Sequence, residues 1–587
     1  MKYLLLTPPL TQLNTPYPAT TVLKGFLQSQ GHVVDQGDLG IELIDKVYSK
    51  EFLKGIGLSN HANCIEMVMR FLRGLDNTVA PRIANRSLLP EGARFNELAD
   101  MEWAFGTAGT EDKARYLATL FLEDIADFIR EKIDSHFDLI RYAEQLASFA
   151  PEFDEMERSL QAEKTCIDQL MLDCLQKHIE AFQPDIVGFS IPFPGCLYGA
   201  LRCGQWIQAN KPEITVIFGG GFANTEWRQL QEPRIFDYCD FITLDDGELP
   251  LQQIGLIKSG EKANLVRTYY RNGESNVIYS GNDALNVDFG TESAPDFEGL
   301  PLDKYISLAE MTNPMHRLWS CGRWNKIMMA HGCYWHRCAF CDTTLDYIAR
   351  YATPTAQTVV DRMEKIMRQT GNSGFHFVDE ALPPKLLKEV CEEILRRGLS
   401  VSFWGNIRFE KAYTQEFCDL LSDAGCVAVS GGLEVASNRL LKLMDKGVTI
   451  EQTVQACRHF RDAGIMVHTY LMYGFPTETL QETFNALETV RSMFDEGIVQ
   501  SAFWHRYAMT CHSLSGQHPE AYGAKRTNDK VHPFCNNEID WDNTFDYDIE
   551  AVGRGLRFAT YNYMHDIGLD QPIKRWFSGK LRSKNGN

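Results

Sequence analysis

The stretch Gly332-Cys333-Tyr334-Trp335-His336-Arg337-Cys338-Ala339-Phe340-Cys341-Asp342 sets three cysteines within nine residues, directly behind the apolar run Lys326 to Ala330. Three thiolates on one loop suit three irons of a cubane cluster. Zinc is an alternative, but it would normally find a fourth Cys or His at short spacing. His336 is available, yet it lies between the cysteines and would have to fold back onto its own loop. Three buried structural cysteines are the remaining reading.

Outward from this loop, the run before the cysteines is the first of six with strand character: Lys326 to Ala330, Gly374 to Val378, Val401 to Asn406, Val427 to Gly431, Met466 to Met472 and Gln500 to Tyr507. Each is separated from the next by enough chain for a helix, which predicts an open, partial (βα)6 TIM-like barrel over residues 316–510. Chemistry in such barrels sits at the C-terminal ends of the strands. Asp379-Glu380, Asn406 with Arg408, Gly432-Leu433-Glu434 and Tyr473-Gly474-Phe475 stand at the ends of the second to fifth runs.

Upstream, Lys2 to Leu6 reads as a strand ending in Thr7-Pro8-Pro9, with a helix from Thr20 to Gln30, a stop at Gly31 and a second strand from His32 to Gln36. The rhythm resumes with Ile186 to Ser190, a helix from Leu197 to Ala209, then Thr215 to Phe218 followed by Gly219-Gly220-Gly221, and Phe241 to Leu244 followed by Asp246-Gly247-Glu248. Strands alternating with helices predict an α/β, doubly wound (Rossmann-like) domain over residues 1–285. Residues 41–183 carry apolar positions at helical spacing, clearest in Leu117, Phe121, Ile125 and Ile129, and read as a helical insertion. Asn272-Gly273 predicts a hairpin turn. Residues 286–315 read as a linker and 511–587 as a C-terminal cap, where substrate selection would lie. Cys196 and Cys203, seven apart on a helix-like stretch, read as core.

Composition bounds the answer from outside. The chain has 587 residues, 44% hydrophobic and 23% charged, which excludes a disordered or collagen-like protein. Lysine and arginine total 58 against 78 acidic residues, a net charge of -20, so a nucleic-acid backbone is a poor partner. No run approaches the roughly 18 apolar residues that span a bilayer. Sixteen dispersed cysteines and the absence of a secretory leader at the start predict a cytoplasmic protein with reduced thiols.

The three-cysteine loop, with Phe340 just before Cys341, resembles the radical S-adenosylmethionine (radical SAM) enzymes. The commonest spacing of that family is CxxxCxxC, whereas this chain has CxxxxCxxC. The resemblance implies that Cys333, Cys338 and Cys341 hold a 4Fe-4S cluster whose open iron is chelated by S-adenosyl-L-methionine. It further implies cosubstrate contacts for Phe340, for Asp379 and Glu380 at the methionine amino group, for Asn406 and Arg408 at its carboxylate, for Glu434 at ribose or amine, and for Gly474 near the adenine.

The N-terminal half resembles the cobalamin-binding domain that precedes the barrel in one large subgroup of this family, on the strength of Thr7-Pro8-Pro9, Gly31-His32, Asp185 to Ser190, Gly219-Gly220-Gly221 and Asp246-Gly247-Glu248. That resemblance implies cobalamin contacts from Ser190, Gly219, Gly220, Gly221, Asp246, Gly247 and Glu248. No DxHxxG segment occurs, so histidine coordination of the lower face is not expected. The implied activity is methylation of an unactivated carbon of a peptide or small molecule, fed by a flavodoxin- or ferredoxin-type electron donor. A rearrangement or cyclisation on the same architecture, or a non-enzymatic cobalamin or iron-sulfur sensor, are the rival readings. Trp504-His505-Arg506-Tyr507 and Cys511-His512 lie where a substrate would meet the radical, but a packed aromatic strand with a satisfied histidine is the preferred account of them.

Overall fold

The computed structural model describes residues 1–577 except 99–103, 107–108, 141–143, 145–151, 282–285, 291–292, 321–323, 529 and 543–544. The last ten residues of the expected cap, and the end of the expected first domain at 285, lie outside the described residues.

Two sheets organise the chain. The first contains β1 (Lys2–Thr7), β2 (Val33–Asp38), β3 (Ile186–Ser190), β4 (Thr215–Gly219), β5 (Phe241–Thr243), β6 (Thr268–Arg271) and β7 (Val277–Ser280), in the order β2-β1-β3-β4-β5-β6-β7. The first five pair in parallel, and the hairpin β6–β7 adds an antiparallel edge. Tyr3 to Leu6 and Ile186 to Ser190 are buried throughout, as a parallel sheet covered on both faces demands. The order reverses between β1 and β3, the switch point at which such sheets open a crevice at their strand C-termini.

Between β2 and β3 the chain is helical, including Leu39–Val47, Ile65–Leu72, Thr110–Lys132 and Cys166–Phe182. Leu117, Phe121, Ile125 and Ile129 are fully buried and share one core with the first sheet, so the insertion is packed into that domain. Thr165 and Asp168 form a capping box that starts the helix leading back to β3.

The second sheet contains β8 (Asn325–Ile327), β9 (Gly374–Phe377), β10 (Ser402–Ile407), β11 (Cys426–Glu434), β12 (Met466–Tyr473) and β13 (Ser501–Arg506), all parallel in sequential order, with helices between them. β8 is shorter than the run Lys326 to Ala330 suggests, because the amides of Met329 and Ala330 donate to the Asp379 side chain and leave the ladder. β11 is longer, and its register shifts between Gly432 and Glu434, where Glu434 adopts φ +58°.

The C-terminal region does two jobs. Helix Ile549–Tyr563 buries Val552, Leu556, Ala559 and Tyr563 against the outside of the barrel. The segment before it reaches back to the first domain: Phe534 enters that domain's core, Gln231 N donates to Pro533 O (2.9 Å), and His512 Nε2 meets Thr225 O (3.0 Å). It therefore clasps both sheets as well as capping the barrel.

Candidate active site

The cysteine loop is held by its own backbone. Gly332 has φ +71°, and a Cβ there would sit 2.1 Å from the Arg350 carbonyl oxygen, so only glycine lets the loop leave the strand at this point. Cys333 N donates to Ile348 O (3.1 Å), and Ala339 N donates to Met444 O (2.8 Å). His336 is exposed, with Nδ1 at the Cys333 carbonyl (3.0 Å), and does not fold towards a fourth ligand position through that nitrogen.

Cys333, Cys338 and Cys341 line one cavity together with Phe340, Glu380, Asn406, Arg408, Glu434 and Lys446. All three thiols are free. A hydrogen bond from Cys341, with the charges of Lys446 and Arg408 nearby, holds the Cys338 thiol down at about 6. That environment favours the thiolate an iron requires. Lys446 is buried and paired to Glu434 (2.7 Å), with Nζ 5.4 Å from the Phe340 ring centre. Burial alone would lower the Lys446 ammonium, but Glu434 and Cys338 hold it above its ordinary value. Two buried polar atoms of the lining, Asn406 Oδ1 and Ser430 Oγ, have no partner. Orphaned acceptors and a hydroxyl in a cavity beside three thiols fit a polar cosubstrate.

Several expected residues are committed to the protein itself. Asp379 does not line the cavity: its buried carboxylate accepts from Met329 N (2.9 and 3.1 Å) and Ala330 N (2.6 Å), fastening the root of the cysteine loop. Arg408 is buried, pairs with Glu410 (2.8 Å), donates to the Lys446 carbonyl, reaches Cys338 Sγ (3.6 Å) and lies over Trp335. Gly474 lies outside the cysteine cavity, in a cleft with Arg506, Trp541 and Ile549, and its amide donates to Glu478 (2.6 Å).

A second cavity opens at the strand C-termini of the first sheet, walled by Ser190, Gly219, Gly220, Asp246, Gly247 and Glu248 on one side and by Lys326, Met328 and Val378 of the barrel on the other. Ser190 Oγ is buried there without a partner, and no histidine belongs to the described lining. An orphaned hydroxyl at a switch-point crevice fits a ligand with polar side arms, such as cobalamin. Gly221 is not part of this lining. The glycines owe their identity to the fold: Gly220 has φ +105° and a Cβ would lie 2.8 Å from Ile191 O, while one at Gly221 would lie 2.8 Å from Pro192 O. Asp246 is likewise engaged, with His331 Nε2 (3.0 Å) and with Arg350, joining the two sheets beside the cysteine loop. With Asp346 nearby these groups have the composition of a metal site, but the Arg350 guanidinium already supplies the positive charge.

Sequence reasoning missed Lys326 and Tyr17, which both line the second cavity. Lys326 sits in the apolar run before the cysteines, where strand alternation turns it inward. Tyr17 lines the second cavity, and burial, with the charges of Cys196 and Glu380 adding to it, raises its hydroxyl.

Fold and site define a class: an α/β protein whose open parallel barrel carries a three-cysteine loop behind its first strand and whose doubly wound sheet faces that barrel. Residues 327–490 match the Radical SAM superfamily. It is 24% identical over 322 residues to an uncharacterized methyltransferase of Pyrococcus horikoshii, covering 54% of this chain and 66% of that protein. It is 27% identical over 332 residues to the anaerobic magnesium-protoporphyrin IX monomethyl ester cyclase of Rubrivivax gelatinosus, covering 54% and 56%. The matched segment thus spans 56–66% of these relatives' length. The radical S-adenosylmethionine methyltransferase TsrM from Kitasatospora setae, solved with cobalamin and a 4Fe-4S cluster bound, superposes with a TM-score of 0.51 at 16% identity, over 90% of this chain and 81% of that one. This likeness extends the shared fold across both sheets. No helix among the described residues is long and apolar enough to cross a membrane.

Proposed function

We propose that the protein is a cobalamin-dependent radical SAM methyltransferase acting on an unactivated carbon of a small molecule or peptide. One observation carries the reading: the switch-point cavity is walled by both sheets, Lys326, Met328 and Val378 of the barrel facing the loops after β3, β4 and β5, while the three cysteines behind the first barrel strand line a cavity of their own. When bound, the cluster supplies an electron for cosubstrate cleavage and cobalamin supplies a methyl carrier.

The chain's own residues prepare the site. Cys333, Cys338 and Cys341 present three thiolates, and Lys446 keeps the Cys338 charge tolerable in a buried place. The Glu434–Lys446 pair and the free Asn406 oxygen offer hydrogen bonds to cosubstrate. Glu380 stands exposed at the cavity wall, where desolvation and the charge of Asp342 raise its carboxyl. Ser190 and the loops after β4 and β5 would hold cobalamin at this cavity. We place the domain boundaries at 285 and 315, an electron donor of flavodoxin or ferredoxin type as partner, and the protein in the reducing cytoplasm, consistent with its free cysteines.

The cyclase relative favours a second reading, a radical cyclisation without methyl transfer. Anaerobic reconstitution with iron, sulfide and hydroxocobalamin, followed by reduction with S-adenosylmethionine and a candidate substrate pool, separates them. Formation of both 5'-deoxyadenosine and S-adenosylhomocysteine supports methylation. 5'-Deoxyadenosine alone supports the second reading, and neither product rejects both.

A further inference from the structure

Lys326 lines the switch-point cavity from the barrel side, half-buried, and its one hydrogen bond among the described residues goes to the neutral Gln12 Oε1. Desolvation alone pushes its ammonium down to about 7, so no carboxylate stands close enough to hold it up. His376, its register partner on β9, is kept neutral by burial and by this same charge. An ammonium without a counter-charge in the protein is costly, and such charges persist where a ligand supplies one.

The start of helix Pro18–Ser29 lines the same cavity, with Tyr17, Pro18, Ala19 and Thr20. No side chain caps this helix and no acid stands in its first turn. The first amides of a helix have no partner within it and carry the positive end of its dipole. Thr20 is only 2% exposed and Ser190 only 7%, and the hydroxyl of each is buried without a partner. The acids of the cavity are engaged elsewhere: Asp245 pairs with Arg228, Asp246 with His331 and Arg350, and Glu248 sits at the positive end of helix Glu248–Lys258. A helix start, two unmet hydroxyls and one ammonium offer donors from several elements at once. That set suits an anion with oxygens pointing in several directions, a phosphate rather than a planar carboxylate.

Resting on the cobalamin reading above, we infer that Lys326 and the start of helix Pro18–Ser29 form an oxyanion site shared by the barrel and the first domain, and that it takes the phosphodiester of the cofactor's nucleotide tail. A free phosphate or a phosphorylated substrate carries the same chemistry; the inference commits to the cofactor. Because Lys326 belongs to the barrel, the complete cofactor ties the two sheets together, whereas a corrinoid without the tail does not.

The test uses the full chain loaded with its cluster, in equilibrium dialysis with hydroxocobalamin, with cobinamide phosphate, which ends at the phosphate, and with cobinamide, which lacks it. Wild type is expected to hold cobinamide phosphate at least tenfold more tightly than cobinamide. Lys326→Met is expected to bring that ratio below threefold, to leave cobinamide affinity within threefold of wild type and to weaken hydroxocobalamin about as much as cobinamide phosphate; Lys326→Arg is expected to keep the preference. Lys326→Gln takes the place of Lys326→Met if the latter fails to load its cluster. A ratio near one in wild type, or a preference that survives loss of the ammonium, overturns the inference and leaves the cobalamin reading standing, since cobinamide is still held. Retention of no corrinoid by wild type refutes the cobalamin reading and this assignment together. Labelled inorganic phosphate then identifies the other source: phosphate held by wild type and lost from Lys326→Met assigns the site to a ligand other than the cofactor.

Discussion

Asp379 offers the sharpest test of how the cysteine loop is held, because its carboxylate is fully buried and accepts two backbone amides at the root of that loop. Asp379→Ala leaves both N–H groups without acceptors, at about 1–3 kcal/mol each, or about 2–6 kcal/mol in all. Asp379→Asn keeps one oxygen where Oδ1 now reaches both amides, and removes the charge. Burial, against the pull of the two amides, pushes the carboxyl from 3.8 up to about 7. A raised carboxyl makes its contribution below the unfolded value and loses it as pH climbs through the folded one. Relative to Asp379→Asn, wild type is therefore expected to lose about 2–3 kcal/mol of stability between pH 5 and 8. Urea unfolding of the apoproteins at several pH values, read by tryptophan fluorescence, measures this difference. Iron content after reconstitution should fall in Asp379→Ala and stay near wild type in Asp379→Asn. The reasoning is refuted if Asp379→Ala keeps wild-type stability and iron but loses S-adenosylmethionine binding, for then the residue contacts the cosubstrate as its strand-end position suggested.

Serine at Cys333, Cys338 and Cys341 together should abolish the iron-sulfur absorbance and all cosubstrate cleavage, and a triple variant with full iron and sulfide would disprove the ligand assignment. Lys446→Met leaves Glu434 buried without its partner and should cost about 3–5 kcal/mol, much of it recovered when Glu434→Gln is added, as a double-mutant cycle in urea would show. Gly220→Ala should destabilise the cobalamin-free protein by about 1–3 kcal/mol through its positive φ and the clash with Ile191, whereas unchanged apo stability with lost cobalamin would mean the glycine serves the ligand directly. Any single histidine of residues 1–285 changed to glutamine should leave the spectrum of bound cobalamin unaltered, since the described cavity lining contains none.

The architecture was readable because its signals are local. Alternating strands and helices, glycines behind β4 and the three cysteines in one loop depend on residues a few positions apart, and short-range periodicity records them. The hairpin near Asn272-Gly273 also came through, but its loop runs over residues 272–276 and the positive φ falls on Ser275, not on Gly273. Roles that depend on distant partners did not. Asp379 ends its strand as a cosubstrate ligand would, yet it faces amides 50 positions away along the chain. Asp246 follows a cofactor-type strand, but its partners His331 and Arg350 come from the other sheet. Lys326 was hidden in an apolar run, and only the packing of the two sheets shows it lining the first sheet's cavity and donating to the first domain's Gln12. Residue types and their spacing decide which elements form; which side chains face each other is decided by how two sheets pack, a relation between segments hundreds of residues apart.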